Sequence, residues 1–192
     1  RSLGRFGDYA TVSFFPSKNL GGFGDGGAVL CQDPERAEAL RILRVHGARP
    51  KYHHHVVGGN FRLDAIQAAV LSVKLPYLSQ WADGRRSNAA RYEALFQASG
   101  LVERGLIRTP IVGEGVEHVY NQYVIRAQDR DRLRAYLTEQ GIGSMVYYPG
   151  ALHLQPCFSE LGHGPGDFPE AERACAEVLA IPVYPELGRE AQ

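Results

Sequence analysis

One lysine, Lys18, stands at the mouth of a glycine-rich turn in the run Ser13-Phe14-Phe15-Pro16-Ser17-Lys18-Asn19-Leu20-Gly21-Gly22-Phe23-Gly24-Asp25-Gly26-Gly27. Strand-forming residues (Tyr9, Thr11, Val12, Phe14, Phe15) lead into it, and the apolar Ala28-Val29-Leu30-Cys31 follows. A primary amine in so apolar a corner reads as a covalent catalyst that holds an aldehyde cofactor. An amine attacks a carbonyl only when neutral. A free lysine titrates about three units above neutral pH, so neutralising it costs roughly 4–5 kcal/mol. Nucleophilic lysines therefore occupy desolvated or cationic pockets. Ser13, upstream in the same run, supplies the hydroxyl that a phosphate-bearing aldehyde would need.

Other chemistry is weaker. Gly22-x-Gly24-x-x-Gly27 matches the dinucleotide fingerprint in letters, but that fingerprint needs a helix after it, where phosphate meets the helix N-terminus. Here the glycines feed a strand, and Lys18 precedes them, which also breaks the Walker pattern. They read as suppliers of backbone freedom for a tight turn. The run His53-His54-His55 projects successive side chains in different directions and has no carboxylate or cysteine at ligand spacing. His153, Cys157 and His163 form a looser set. Neither reads as a metal site.

The elements that must position Lys18 come from a chain of 192 residues, 44% hydrophobic and 22% charged, which is globular in character. Lysine plus arginine and aspartate plus glutamate balance at 21 each, against a basic nucleic-acid footprint. No apolar run reaches the length of a membrane span and no signal peptide opens the chain. Cys31, Cys157 and Cys175 are an odd, unpaired set, which favours free thiols and a cytoplasmic setting.

Along the chain, Ala28–Cys31 reads as a buried strand. Asp33-Pro34 caps and opens a helix through Ala37, Leu40 and Leu43. Residues 47–61 read as a polar loop. From Arg62 the strongest helical pattern places Leu63, Ile66, Val70, Val73 and Tyr77 in one apolar stripe, until Pro76 kinks or ends it. A second helix on Trp81, Arg85, Ala89, Tyr92 and Phe96 closes at Gly100. A strand over 119–127, a helix capped by Asp129 and a strand over Met145–Tyr148 then give a β-α-β order and a small α/β subdomain. On that last strand Tyr147 and Tyr148 alternate, one toward the core and one toward a pocket. A helix from near Pro169 carries Ala171, Cys175, Val178 and Leu179 inward. Ile181–Pro185 closes the chain as an edge strand.

The stretch Ser13 to Leu20 with Gly24-Asp25-Gly26-Gly27 resembles the lysine motif of the DegT/StrS family of pyridoxal-phosphate sugar aminotransferases. Further stretches fit the same family: Arg44-Val45-His46-Gly47, Gly58 through Ala69, Val73-Lys74-Leu75, Tyr147-Tyr148-Pro149 through Gln155, and Phe168 through Glu172. The resemblance runs from residue 1 to about residue 187. It implies an α/β, fold-type-I architecture. Residues 1–78 would be the C-terminal part of the large cofactor domain with its connecting helix, and 79–192 the small domain.

The resemblance also implies roles. Lys18 would bind pyridoxal 5'-phosphate covalently and then shuttle the proton. Ser13 would hold the cofactor phosphate, and Asn60 would reach the phosphate of a neighbouring subunit in a homodimer with shared sites. Arg62 would serve the substrate or cofactor of that partner site. Tyr147, Tyr148 and His153 would line the sugar pocket. Each has a plainer reading: Asn60 as the cap of the next helix, Arg62 as a surface ion-pair partner, His153 as a satisfied loop histidine. The reaction would carry an amino group, from glutamate, to a keto group on a nucleotide-linked hexose. Dehydratase relatives carry histidine at the lysine position, so Lys18 favours transamination. The rival reading is a catalytically inactive or regulatory relative of the same fold. The chain opens on Arg1-Ser2-Leu3-Gly4 without methionine. The acidic partner of the pyridine nitrogen and the ring-stacking residue are expected upstream, so residues 1–192 alone are expected to lack activity.

Overall fold

Two four-residue runs on either side of the glycine turn, Ala10-Thr11-Val12-Ser13 and Gly27-Ala28-Val29-Leu30, pair as a hairpin. β1 (Ala10–Ser13) and β2 (Gly27–Leu30) are antiparallel, with Ser13 opposite Gly27 and Ala10 opposite Leu30. A computed structural model describes residues 6–192, and the opening Arg1-Ser2-Leu3-Gly4 lies outside the described residues. The chain divides into two units, Arg1–Ser79 and Gln80–Gln192.

In the first unit α1 (Pro34–Leu43) starts at the expected cap. Asp33 Oδ1 accepts from the backbone N–H groups of Glu35 (2.8 Å) and Arg36 (3.2 Å), offsetting orphan donors of the first turn. The following loop is stitched to itself. His46 N donates to Gly59 O (3.0 Å) and Phe61 N to Arg44 O (3.0 Å). The rings of His54 and His55 lie 2.8 and 2.6 Å from the carbonyls of His46 and Arg49. These histidines are spent on their own backbone.

α2 (Ala65–Lys74) follows Asp64, so the cap position belongs to Asp64 and not to Asn60. The expected apolar stripe is corrected here. Ile66, Val73 and Tyr77 are 78%, 70% and 53% exposed, whereas Leu71 is buried. Steps of three and four from Gln67 give Leu71 and Lys74, and it is this face that meets the glycine turn. Periodicity finds a helix but cannot say which of its faces the chain itself covers. Pro76 acts as expected: α2 gives way to a 3-10 turn at Leu75–Tyr77, and α3 (Leu78–Ala98) begins beyond it.

The second unit is built on a three-stranded antiparallel sheet in the order β3 (Ile107–Arg108), β4 (Tyr123–Ala127), β5 (Val178–Ile181). α3 and α4 (Arg130–Glu139) accompany it, and α5 (Pro169–Glu177) runs straight into β5. Two expectations fail. Met145–Tyr148 makes only a single bridge, Met145 with Ala180 (3.0 and 2.7 Å), and no strand. Val178 and Leu179 belong to β5 and not to the preceding helix, and the strand ends before Pro182. Proline cannot extend a ladder that needs its N–H, so the strand stops there.

Tyr123, Ile125 and Leu179 are fully buried, beside Ala89 and Tyr92 of α3. The Tyr92 and Tyr123 rings lie 5.0 Å apart. Their polar ends are satisfied: Tyr92 Oη donates to Pro182 O (2.8 Å), and Tyr123 Oη donates to Glu93 Oε1 (2.6 Å). Burial, with the adjacent Glu93 carboxylate, pushes the Tyr123 phenol far up. One nitrogen of Arg85 donates to three carbonyls, those of Tyr120, Asn121 and Val183 (3.1, 3.2 and 2.8 Å). It fastens α3 to the chain just before β4 and just after β5. Leu179 sits at the centre, 0% exposed. Leu179→Ala is expected to cost about 2–5 kcal/mol, read as a lower urea midpoint at unchanged slope.

Candidate functional site

The chain around Lys18 is a tightly folded turn. Lys18 N donates to Phe15 O, Gly22 N to Phe14 O and Phe14 N to Gly26 O, each at 2.8 Å. Lys18 is exposed. The desolvated corner expected from its apolar neighbours is not formed by the described residues.

The glycines have a different purpose from the one read in the sequence. None from Gly21 to Gly27 has a positive φ. What they permit is close approach. A Cβ on Gly21 would stand 2.2 Å from Pro16 O, one on Gly24 2.8 Å from the Gln67 side chain, and one on Gly26 2.9 Å from Leu63. Into that space α2 sends two residues without an assigned role in the sequence. Gln67 Oε1 accepts from Phe23 N (2.7 Å), and Lys74 Nζ donates to Gly21 O. Their signal in the sequence is weak: they are polar residues on an alanine-rich helix that also carries Ser72.

The other expected residues fall in two groups. In the first unit, Ser13 Oγ accepts from Phe15 N (3.3 Å), which leaves its own O–H to donate elsewhere. Asn60 Oδ1 accepts from Arg62 Nε (2.8 Å). The pair is exposed. In the second unit, the Tyr147 and Tyr148 rings meet edge to face at 5.6 Å, with Tyr147 half-buried and Tyr148 70% exposed. His153 lies in a 3-10 turn, Leu152–Leu154, and is 8% exposed at its side chain. Its Nε2 is 3.0 Å from Glu172 Oε1. It is a satisfied histidine, whatever else it does.

Glu172 and Asp167 close the neighbouring loop. Glu172 accepts from Gly166 N (2.8 Å) and Asp167 from Gly164 N (3.0 Å), with His163 Nδ1 3.3 Å from Asp167. These backbone bonds first, and the histidines second, hold both carboxyls below their usual range. A carboxylate with a depressed pKa adds stability above its unfolded pKa, and loses it as pH falls through the folded value. The Gly164 and Gly166 amide resonances should therefore stay fixed from neutrality to about pH 4 and move only below it. A pH titration of 1H–15N spectra checks this; movement near pH 6 would assign the anchor to the histidines instead.

On the hairpin, the Lys18 amine and the Ser13 hydroxyl are the groups suited to an aldehyde that also carries an anionic group; Asn60 and Arg62 form a separate exposed pair of donors. Among the described residues no group of three or more metal-ligating side chains converges, and no helix is long and apolar enough to cross a membrane.

The chain belongs to the DegT/DnrJ/EryC1/StrS aminotransferase family, whose model matches residues 1–192. It is 52% identical over its whole length to a protein named pleiotropic regulatory protein from Geobacillus stearothermophilus, covering 51% of it. It is 42% identical to the dTDP-3-amino-3,4,6-trideoxy-alpha-D-glucose transaminase of Streptomyces venezuelae, over 98% of this chain and 48% of that one. Among solved structures, S. venezuelae DesV in complex with a ketimine intermediate superposes with a TM-score of 0.89 at 41% identity, covering 100% of this chain and 50% of that one. NtdA of Bacillus subtilis with bound cofactor PMP gives 0.89 at 31% identity, covering 100% and 45%. The α/β fold is thus that of the type I pyridoxal-phosphate-dependent transferases, and the chain spans about half the length of the curated relatives it matches.

Proposed function

We propose that the protein to which this chain belongs is a pyridoxal-phosphate-dependent aminotransferase. It moves an amino group from glutamate to a keto group on a dTDP- or UDP-linked hexose in amino-sugar or polysaccharide biosynthesis. The observation that carries the reading is Lys18 itself. Its amine is exposed at the tip of a turn held from beneath by α2, within a chain that matches the aminotransferase family throughout. Names of transaminases acting on dTDP- and UDP-sugars among the relatives support the substrate class.

In this reading Lys18 Nζ is the amine that takes the cofactor aldehyde, and later the base that moves the proton at the reacting carbon. Bound pyridoxal phosphate supplies the electron sink. Ser13 Oγ–H donates to its phosphate. Asn60, oriented by Arg62, donates to the phosphate of a partner subunit in a homodimer, and Arg62 offers its remaining N–H groups to an anionic substrate group. Tyr147 and Tyr148 offer hydroxyls and ring faces to the sugar. Free Cys31, Cys157 and Cys175 suit work in the cytoplasm. Residues 1–78 and 79–192 then act as the cofactor-domain portion and the small domain.

The test is the full-length protein with glutamate and a panel of dTDP- and UDP-keto-hexoses, following 2-oxoglutarate and the amino-sugar by mass spectrometry. Turnover, with borohydride fixing the cofactor onto the Lys18 peptide, is expected. Colourless protein with no turnover and no labelled peptide would leave a binding-only relative in its place.

A further inference from the structure

Glu172 is an unusually busy side chain for an exposed helix start. In the first turns of α5 it takes three contacts on two oxygens: His153 Nε2 at 3.0 Å and Gly166 N at 2.8 Å on Oε1, and Gly166 N again at 3.1 Å on Oε2. The helix N-terminus favours its negative charge. The His153 ring also rests against Phe168, with centroids 4.8 Å apart, and His163 packs on the same phenylalanine at 5.0 Å. His153 is thereby turned inward, onto α5.

We propose that Glu172 is a positioning residue for the sugar-binding segment. Through His153 it pins residues 147–155 to α5 and to the loop at Gly162–Phe168, and it holds a proton on Nε2 of His153. His153 then serves the sugar site by anchoring the segment that bears Tyr147 and Tyr148. The inference rests on the proposed function for its activity readouts only.

Three features carry it. The segment has little other support: Met145 makes one bridge to Ala180, and Val146 and Ala151 are buried, but Tyr148 to Pro149 are exposed. His153 is the polar side chain of this segment that bonds to another element at hydrogen-bond distance. A carboxylate facing Nε2 accepts, so that nitrogen must carry the proton and donate.

The experiment uses full-length enzyme, with variants Glu172→Gln, His153→Gln and, as a control on the same loop, Asp167→Asn. Asp167 ties the loop through Gly164 and His163 but does not touch His153. Glu172→Gln and His153→Gln should each raise KM for the keto-sugar about tenfold, the scale of one lost charge-assisted hydrogen bond. Combined, they should do no more than either alone, because they remove one interaction. The glutamate half-reaction and kcat should stay within about threefold, and Asp167→Asn should match wild type in both. Independently of activity, 15N spectra of histidine-labelled protein, assigned against His153→Gln, should show protonated Nε2 in wild type and a changed tautomer ratio in Glu172→Gln. An equal loss in the glutamate half-reaction, an equal KM rise in Asp167→Asn, or a His153 unprotonated at Nε2 in wild type would each overturn the proposal. If wild type aminates no sugar, the proposed function fails, and the tautomer measurement alone decides the role of Glu172.

Discussion

Lys18→Ala in the full-length protein is expected to abolish amino transfer, lowering kcat by at least about 10^3-fold, since on the proposed reading it removes the covalent amine and the proton carrier together. The fold should not suffer. Lys18 is exposed, and what holds its turn is its backbone N–H on Phe15 O, which alanine keeps. Its melting temperature should therefore match wild type, which separates chemistry from stability. Lys18→Arg makes the stricter comparison, because it retains a cation on a long stem yet stays protonated and cannot form the carbon–nitrogen double bond. Both variants should fail to fix cofactor with borohydride. Turnover within tenfold of wild type in either would remove Lys18 from the catalytic role. A small external amine should restore part of the alanine variant's rate and none of the arginine variant's, because only alanine leaves room where the amine stood.

What the sequence made legible was local chemistry. The Asp33-Pro34 cap depends on neighbours two and three residues away, and it stands as read. Pro76 ends α2 because its missing N–H is a local fact, and Gly100 at φ +69 closes α3's end likewise. What was illegible depended on distant partners. Gln67 and Lys74 reach a backbone amide and a carbonyl 44 and 53 positions away, so no window along the chain reveals them. The glycines were assigned freedom in φ, when their actual demand is for space beside Pro16, Gln67 and Leu63. Composition alone cannot separate these two uses of glycine. Met145–Tyr148 has the residues of a strand but only one ladder partner, and Val178-Leu179 has the residues of a helix end but pairs with Ile125 and Arg126. The Lys18, Asn60 and Arg62 motifs were readable as a family pattern, whereas the His153–Glu172 contact joins two quoted motifs that the sequence shows only as separate stretches.

The space demand of Gly21 gives the second large effect. Gly21→Ala places a methyl 2.2 Å from Pro16 O, 2.7 Å from Pro16 C and 3.0 Å from Phe15 O. All three atoms are backbone, and Phe15 O is already bonded to Lys18 N. No rotamer relieves such a contact, so the turn itself must open. Opening it pulls Gly21 O from Lys74 and moves Lys18. A stability loss of about 1–3 kcal/mol is expected from the overpacking. A displacement of the amine by about 1 Å is enough for a 100-fold loss of turnover. Gly24→Ala is the matched control: its methyl meets the Gln67 amide nitrogen at 2.8 Å, the far end of a flexible side chain, which can swing aside. Gly24→Ala should therefore stay within about tenfold of wild type and melt close to it, because only the Gln67–Phe23 bond is strained. Thermal melts and borohydride labelling of the Lys18 peptide across the pair decide the matter. If Gly21→Ala labels and melts like wild type, the turn is more compliant than its bonds to Phe14 and Phe15 imply. If both variants fail equally, the glycines are required for backbone conformation after all, and the clearance beneath Lys18 is not what sets its position.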